Sequence, residues 1–518
     1  MQGVTSLALV TPSAALFERN ARLRVRVAVI AGVVLAILLG LVAGLLSGGR
    51  PYLPIALAVV LALPFVWWWK PATGVVTLLA CSTMVEQFEY SVGIPGLDAF
   101  TDKIPIWTSL QSGLGATGLV MSPIDIAVVL LLIVWLTRAA TERRLRVPRT
   151  QVSATLGVMV LLAIIALARG LMESGGSADT TAALWEIRPW IYLGATYIFA
   201  SQVIRSRRAV QAVLWTFVIG SGFKALQGVY IFFETRNEIP RPEAILAHEE
   251  SIFFSLFLIL TLCLWLYGER GRLRATATAL VPFVLIADIG NTRRDAFLII
   301  AAELAVMMVL TYVALPERRQ LIRRICVTGL VLFAVYLPLE WNGSGTLAEV
   351  AVAVRSGIAP DARDAESNAY RVAEDANLGV MIKQDPIIGF GFGVPINYSS
   401  YPIVDISDID SMIAWVPHNG VLYVWMRMGI LGEVALWMFV AAAILAGTRS
   451  ARSPNRQVSL IGTLTTCTAV GWVIMGYTDM GFWWFRIAVA FGCLLGMLHA
   501  VNVMEASSPP AVATDRPA

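Results

Sequence analysis

Residues 430–447 have the sequence ILGEVALWMFVAAAILAG, and this segment decides the fold class. Its length and apolar character match a helix that crosses the hydrocarbon core of a bilayer, which takes about 17–25 residues. Arg449, Arg452 and Arg456 follow it, whereas the long stretch 340–419 before it is polar. A basic end and a polar end on one apolar run predict a transmembrane helix of defined orientation.

The whole chain has the composition of a membrane protein. Among its 518 residues, 57% are hydrophobic and 14% are charged, and the mean hydropathy is +0.72. Soluble domains are about half apolar and about one quarter charged. Further strong candidate spans are 27–46, 52–69, 152–169, 183–204, 209–232, 251–267, 274–290, 295–315, 322–339, 457–476 and 482–502, with weaker ones at 72–85 and 124–137. We therefore predict an all-α polytopic membrane protein with about 12–14 transmembrane helices.

The arginine clusters fix the predicted orientation. They lie next to the predicted spans, at 19–26, 138–149, 205–208, 270–274, 318–324 and 449–456. With about fourteen spans, all of them fall on one side, which the positive-inside rule assigns to the cytoplasm. The predicted organisation is a cytoplasmic segment 1–26, a membrane domain 27–339, a large outer loop 340–429, three last helices 430–502 and a disordered cytoplasmic tail 503–518.

Charge and cysteine content argue against two further classes of function. The net charge of +4 is small and its arginines sit in short loops, so we expect no nucleic-acid partner. The five cysteines all lie in apolar segments, which predicts buried thiols rather than disulfides or a metal site. Asp405, Asp408 and Asp410 lack the glycine and terminal glutamate of a calcium loop, so we expect no metal there.

Several basic residues fall on the predicted outer side, where a positive-inside protein should avoid them. They are Arg188, His248, Arg293, Arg294, Arg371 and His418. The arginine fork fits phosphate oxygens and keeps its charge, so this set suits a polyanionic substrate such as a lipid diphosphate. Histidine exchanges a proton near neutral pH, so His418 is a candidate acceptor for the proton of an attacking hydroxyl.

Structural interpretations of the same residues stay open. Arg188 is placed where it can extend to the lipid headgroups, and either Arg293 or Arg294 can pair with a nearby aspartate. His248 fits a helix cap or a hydrogen bond within its loop. The glycine-rich segment lacks the Lys-Ser/Thr of a nucleotide loop, so its glycines predict tight turns or a close approach to a ligand.

Three short patches flank or lie within the predicted outer loop. They are Thr292-Arg-Arg294-Asp-Ala-Phe297; Tyr370-Arg371 with Asp385-Pro-Ile-Ile-Gly389-Phe-Gly391-Phe-Gly393; and His418-Asn419-Gly-Val-Leu422 with Gly429-Ile-Leu-Gly432. In this order they resemble the O-antigen ligase and O-antigen polymerase superfamily of bacterial polysaccharide assembly. The first patch departs from the family pattern Ser-Arg-Gly-Ala. Its better register places the family arginine at Arg294, with Arg293 replacing Ser and Asp295 replacing Gly, so the choice between the two arginines stays open.

The resemblance implies a metal-independent glycosyl transfer without a cofactor, on the outer face of a bacterial inner membrane. The donor would be a glycan on undecaprenyl diphosphate, the acceptor a lipid or saccharide, and the displacement would invert the anomeric carbon. Family arginines bind the diphosphate and a loop histidine is required, which corresponds here to Arg294 (or Arg293), Arg371 and His418. The further candidates for substrate binding are Arg188, Arg293, His248, Gly389, Gly391, Gly393 and Asn419.

Two other classes of protein compete with this interpretation. A secondary transporter exporting an anionic polysaccharide precursor or lipid would place polar groups near the bilayer midplane, often in inverted repeats. A scaffold embedded among membrane lipids would leave the outer arginines unexplained. Ligase and polymerase share the motifs, so the sequence leaves open which of the two it is, together with the sugar, the acceptor and the oligomeric state.

Overall fold

The computed structural model describes residues 26, 29–38, 52–88, 101, 104, 106–110, 120–141, 148–173, 178–238, 244–343, 345–401 and 414–507. Throughout these residues the regular structure is helical. In this part of the chain nine helices are long and apolar enough to cross a membrane, and three further apolar helices are shorter. The all-α polytopic membrane fold predicted from the sequence is therefore confirmed.

Each span predicted from position 52 onward coincides with a helix, because apolar runs of this length form helices to satisfy their backbone in lipid. The helices are α1 (Val29–Leu38), α2 (Tyr52–Trp69), α3 (Ala72–Met84), α4 (Pro123–Thr141), α5 (Gln151–Glu173), α6 (Thr180–Val203), α7 (Arg207–Thr235), α8 (Glu250–Leu266), α9 (Arg272–Gly290), α10 (Arg294–Ala314), α11 (Arg319–Glu340), α12 (Glu349–Ser356), α13 (Ala362–Gln384), α14 (Gly420–Ala451), α15 (Arg456–Thr478) and α16 (Phe485–Ala506). Residues 27, 28 and 39–46 of the first predicted span lie outside the described residues.

The chain forms two compact units. The first comprises 1–74 and 125–145, and the second comprises 75–124 and 146–518. In the first unit, Arg138 of α4 donates a hydrogen bond to the carbonyl oxygen of Trp68 at 2.7 Å, which satisfies one backbone acceptor at the end of α2. All candidate site residues belong to the second unit.

Small residues bring α6 and α16 of the second unit into close contact. A Cβ atom on Gly492 would lie 2.0 Å from Oγ1 of Thr196, and one on Gly496 would lie 2.5 Å from Cβ of Ala200. The two glycines are four residues apart and share one helix face, a spacing that lets membrane helices approach closely. This contact fixes the position of α16, whose first residues support the site.

A kink in α14 positions the glycine-rich segment. Gly429 interrupts the helix with a φ of +63°, which favours glycine, so the carbonyls before it lose their helical partners. The amide of Phe390 donates to the carbonyl of Met426 at 2.8 Å, and that of Gly391 donates to the carbonyl of Arg427 at 3.0 Å. The segment around residue 390 therefore occupies the break in the helix.

The described part of the polar stretch before α14 is folded rather than extended. It contains α12 and α13, and the Asp361 side chain caps α13 by accepting a hydrogen bond from the amide of Asp364 at 2.8 Å. The buried Asn377 side chain bonds both backbone groups of Tyr401, accepting from its amide at 3.0 Å and donating to its carbonyl at 2.7 Å. These bonds hold the end of the described stretch against α13.

Candidate active site

His418 lies just before α14 and contacts a buried carboxylate of α13. Its backbone amide donates to Oε2 of Glu374 at 2.9 Å, and its Nδ1 lies 3.2 Å from the same oxygen. The ring of Tyr370 meets the imidazole edge-on at 5.6 Å between centroids. Glu374 is fully buried, whereas 19% of the His418 side chain is exposed. The carboxylate thus contacts the ring at Nδ1, the nitrogen on the side of α13.

Asn419 has a structural role at the start of α14. Its Oδ1 accepts a hydrogen bond from the amide of Leu422 at 3.2 Å, which is the geometry of a helix N-cap. Its Nδ2 donates to Oδ2 of Asp375 at 3.2 Å. Burial raises the pKa of Asp375, and the hydrogen bond from Asn419 acts in the opposite direction. Asn419 therefore ties α14 to α13 directly beside His418.

A second histidine–carboxylate pair joins His248 to Asp479. The His248 Nδ1 lies 2.5 Å from Oδ2 of Asp479, in the turn between α15 and α16. Burial alone would raise the pKa of Asp479, but the charges of His248, His418 and Arg293 and the hydrogen bond from His248 hold that pKa well below its ordinary value. Asp479 was not among the predicted residues, although it is the single acidic residue of a short predicted outer turn.

The turn after Asp479 links the two histidines. The amide of Met480 donates to the carbonyl of His418 at 2.8 Å. Met480 holds a φ of +55°, an uncommon conformation for a residue with a Cβ atom. Because Asp479 bonds His248 and Met480 bonds His418, two adjacent residues fix both histidines relative to each other.

The start of α10 places two neighbouring arginines in different surroundings. The buried Nε of Arg293 has no hydrogen-bond partner among the described residues, and its charge acts on both Asp295 and Asp479. Arg294 instead places Nη1 3.3 Å from Oδ1 of Asp364 and 3.4 Å from Oγ of Ser356. Arg293 therefore accompanies the histidines, and Arg294 pairs with the helices of the polar stretch.

Arg371 lies on α13 one turn before Glu374. Its charge acts on Asp295 and on Asp375. Asp295 in turn interacts electrostatically with His248 and Arg293. The structure thus gathers a group that we name the Arg–His cluster, which consists of Arg293, Arg371, His248 and His418 around Asp295 and Asp479.

Arg188 lies inside the bundle on α6. Its side chain is 6% exposed, its Nη2 donates to the carbonyl of Val120 at 2.8 Å, and its guanidinium lies over the rings of Trp185 and Phe485 at 5.5 and 5.8 Å. Arg188 therefore does not extend to the lipid headgroups, which was the structural interpretation that the sequence left open. Its predicted part in substrate binding stays a prediction.

The three glycines of the glycine-rich segment contact protein backbone. Gly389, Gly391 and Gly393 have φ values of +75°, +78° and +84°. A Cβ atom on each would lie 2.6 Å from a carbonyl oxygen, that of Met426, Ala166 and Asp179 respectively. This geometry corresponds to the tight turns predicted for these glycines and packs the segment against α14, α5 and the start of α6.

A buried ion pair supports the same segment. Nε of Arg427 lies 2.6 Å from Oε1 of Glu186, whose Oε2 accepts a hydrogen bond from the amide of Gly393 at 2.5 Å. The Arg427 guanidinium also donates to the carbonyls of Val394 at 2.5 Å and Trp415 at 2.7 Å. Both charged side chains are fully buried. The pair therefore holds Val394 and Trp415, which stand at the two ends of the chain segment before His418.

Among the described residues, no group of three or more His, Cys, Asp or Glu side chains is arranged so that it could hold a metal ion. The acidic residues Asp405, Asp408 and Asp410 lie outside the described residues.

Fold and site together define a polytopic α-helical membrane protein with a cluster of arginines and histidines at one end of its helices. No family model matches the chain. Over 250 residues it is 22% identical to an O-antigen ligase of Salmonella typhimurium. The matched region covers 48% of this chain and 58% of that protein. The chain therefore spans little more than half the length of this relative. The match supports the superfamily resemblance seen in the motifs.

Proposed function

We propose that this protein is a membrane glycosyltransferase that transfers or polymerises a glycan from an undecaprenyl-diphosphate donor at the outer face of the cytoplasmic membrane. The observation that carries the proposal is the Arg–His cluster, in which two guanidinium groups and two histidines share two carboxylates. The relative supports glycosyl transfer in general, because it is named for ligation of a glycan.

The donor diphosphate would bind between Arg293 and Arg371. Arg293 has a buried Nε without a hydrogen-bond partner in the described part of the chain, so it is prepared for a further acceptor. Phosphate oxygens fit the guanidinium fork, and two such cations stabilise the charge that grows on a departing diphosphate. His248, held by Asp479 at 2.5 Å and 31% exposed, would add a further hydrogen bond to the same group.

His418 would act as the general base. Glu374 engages Nδ1, so Nε2 is the nitrogen that can accept the proton of an acceptor hydroxyl. In the proposed step the hydroxyl oxygen bonds to the anomeric carbon while the bond from that carbon to the diphosphate oxygen breaks. The bonding electrons leave with the diphosphate, the proton moves to His418, and a single displacement inverts the configuration.

The test is complementation of a host strain from which the gene has been deleted. Wild-type protein should restore polymer attachment or extension, and the His418→Ala variant should not, while lipid-linked donor accumulates on the outer leaflet. His499→Ala is the matched control, because His499 lies near the last residues of α16, whereas the Arg–His cluster lies next to its first residues. Full restoration by His418→Ala would contradict the proposed base. Donor that accumulates on the inner leaflet of the deletion strain would favour the transporter.

A further inference from the structure

The structure assigns a positioning role to Arg486, a buried residue of α16 that holds His248 against Asp479. This inference rests on the proposed function only for its effect on the donor, because the positioning itself is measurable without any transfer. Arg486 is fully buried, so it cannot touch a substrate, and any effect it has on the reaction must pass through other residues.

The guanidinium of Arg486 bridges two adjacent glutamates at the start of α8. Its Nη1 lies 2.9 Å from Oε1 of Glu249, and its Nη2 lies 2.5 Å from Oε1 of Glu250. Its Nε donates to the carbonyl of Ser82 at 2.7 Å, and the Ser82 hydroxyl donates to the Arg486 carbonyl at 2.6 Å. Arg486 thus joins α16 to both α8 and α3.

Both segments held by Arg486 carry a member of the histidine–carboxylate pair. His248 directly precedes the glutamates Glu249 and Glu250. Asp479 lies seven residues before Arg486, and the indole of Trp484 donates to the Asp479 carbonyl at 3.0 Å. A displacement of α8 relative to α16 would therefore separate His248 from Asp479 directly.

A second set of bonds restrains the other side of His248. The buried Asn291 accepts hydrogen bonds at its Oδ1 from the amides of Ile245 at 3.2 Å and Leu246 at 2.9 Å. Residues 245–246 are thus fixed to the end of α9, and residues 249–250 are fixed to α16 by Arg486. His248 stands between the two fixed points, and the Arg486 bridge supplies the fixed point next to it in the chain.

Arginine is needed for this geometry because one planar fork reaches two carboxylates at once. The second oxygens of Glu249 and Glu250 are buried without hydrogen-bond partners among the described residues. A lysine keeps the charge but offers a single nitrogen, so it can hold one glutamate at a time. Arg486→Lys should therefore loosen the His248 segment while retaining the fold.

The nearby Lys224–Glu86 pair provides a matched control. Both of its side chains are fully buried, and both interact electrostatically with Glu250. The pair joins α7 to the segment after α3 and holds neither His248 nor Asp479. The double variant Glu86→Gln/Lys224→Met removes one buried ion pair of the same network and leaves the Arg486 bridge in place.

The direct measurement is hydrogen exchange at the imidazole C2 of each histidine, followed by mass spectrometry of the purified protein in detergent. The chain contains three histidines, and His499, near the far end of α16, is the internal reference. In Arg486→Lys we expect a changed pH profile of exchange at His248 and none at His499. In Glu86→Gln/Lys224→Met we expect no change at any histidine. An unchanged His248 in a folded Arg486→Lys protein, or an equal change at all three histidines, would overturn the inference.

The activity measurement uses undecaprenyl diphosphate carrying an oligosaccharide as the probe. We expect Arg486→Lys to raise the KM for this donor about tenfold with kcat largely retained, because one hydrogen bond to the diphosphate is weakened. Equal kinetics of Arg486→Lys and wild type would contradict the inference. If Arg486→Lys does not fold, Glu250→Gln removes one half of the bridge and is subject to the same expectations. Absence of transfer by the wild type would contradict the proposed function, while the exchange measurement would still test the positioning.

Discussion

Two sets of pairs in this molecule each join a basic side chain to a buried carboxylate, but in different surroundings. The buried set consists of Arg427 with Glu186, Arg486 with Glu249 and Glu250, and Lys224 with Glu86. The accessible set consists of His418 with Glu374 and His248 with Asp479, in which the histidines are 19% and 31% exposed and the carboxylates are buried. Where both partners are buried, the pair can only join helices. Where one partner is partly exposed, the buried carboxylate orients a side chain that is accessible from outside the bundle.

The largest expected effect is on stability and follows from breaking one ion pair of the buried set. Arg427→Met leaves Glu186 buried and without its cation, which should lower the free energy of unfolding by about 3–5 kcal/mol. Thermal unfolding of the purified protein in detergent measures the loss. The double variant Glu186→Gln/Arg427→Met removes both charges and should recover part of the stability. A double variant less stable than Arg427→Met would show that the pair does more than compensate charge.

The next largest effect is on the transfer rate, and it distinguishes orientation of the His418 ring by Glu374 from a contribution of Glu374 to stability. Glu374→Gln keeps the size of the side chain but weakens its hold on the His418 ring, so initial transfer rates should fall about 100-fold. Its thermal unfolding should remain close to that of the wild type. Glu366→Gln is the control, because Glu366 lies on the same helix and is exposed. Equal rates for Glu374→Gln and Glu366→Gln would remove the orienting role.

A third comparison distinguishes the neighbouring arginines of α10. Arg293→Ala should weaken binding of the lipid-diphosphate donor by about tenfold or more, because a charge-assisted hydrogen bond to phosphate is lost. Arg294→Ala removes a cation paired with Asp364 and should change donor binding less. Titration of donor into protein in nanodiscs gives both affinities. A larger loss of affinity in Arg294→Ala than in Arg293→Ala would identify Arg294 as the arginine that binds the donor, as the better register of the motif predicts.

The smallest effect concerns acid stability. The pKa of Asp479 lies below its ordinary value, so this carboxylate stabilises the folded protein above the ordinary value of about 3.9 and loses that contribution as the pH falls. Asp479→Asn lacks the contribution at every pH. The stability difference between wild type and Asp479→Asn should therefore shrink between about pH 5 and pH 2 in thermal unfolding. A constant difference would indicate that packing alone is lost.

The sequence predicted the helices of this fold well because each depends on local composition. A run such as 457–476 is apolar over its whole length, and a helix is the structure that satisfies its backbone in lipid. His418 and Arg371 were also named from the sequence, since each stands in a motif within or beside the polar stretch, and their part in the reaction stays a prediction. The carboxylates were missed. Glu374 is one of four acidic residues on α13, and only the fold shows that it is buried against His418.

The choice between Arg293 and Arg294 could not be made from sequence for a geometric reason. Adjacent residues at a helix start point in directions about 100° apart, and the direction depends on where the helix begins. Thr292 adopts a φ of +51°, and Asn291 is fixed by bonds to residues 245 and 246. These non-local bonds set the start of α10, which no local pattern of residues specifies.

The break in α14 has a consequence for which changes of chain length this protein can tolerate. His418 and the kink at Gly429 are separated by a fixed number of helical residues, and the segment around Phe390 is bonded to the carbonyls just before the kink. One residue inserted between these points would turn His418 by about 100° about the helix axis. Insertions here should be excluded in active homologues, whereas insertions at the loop after α14 should be neutral.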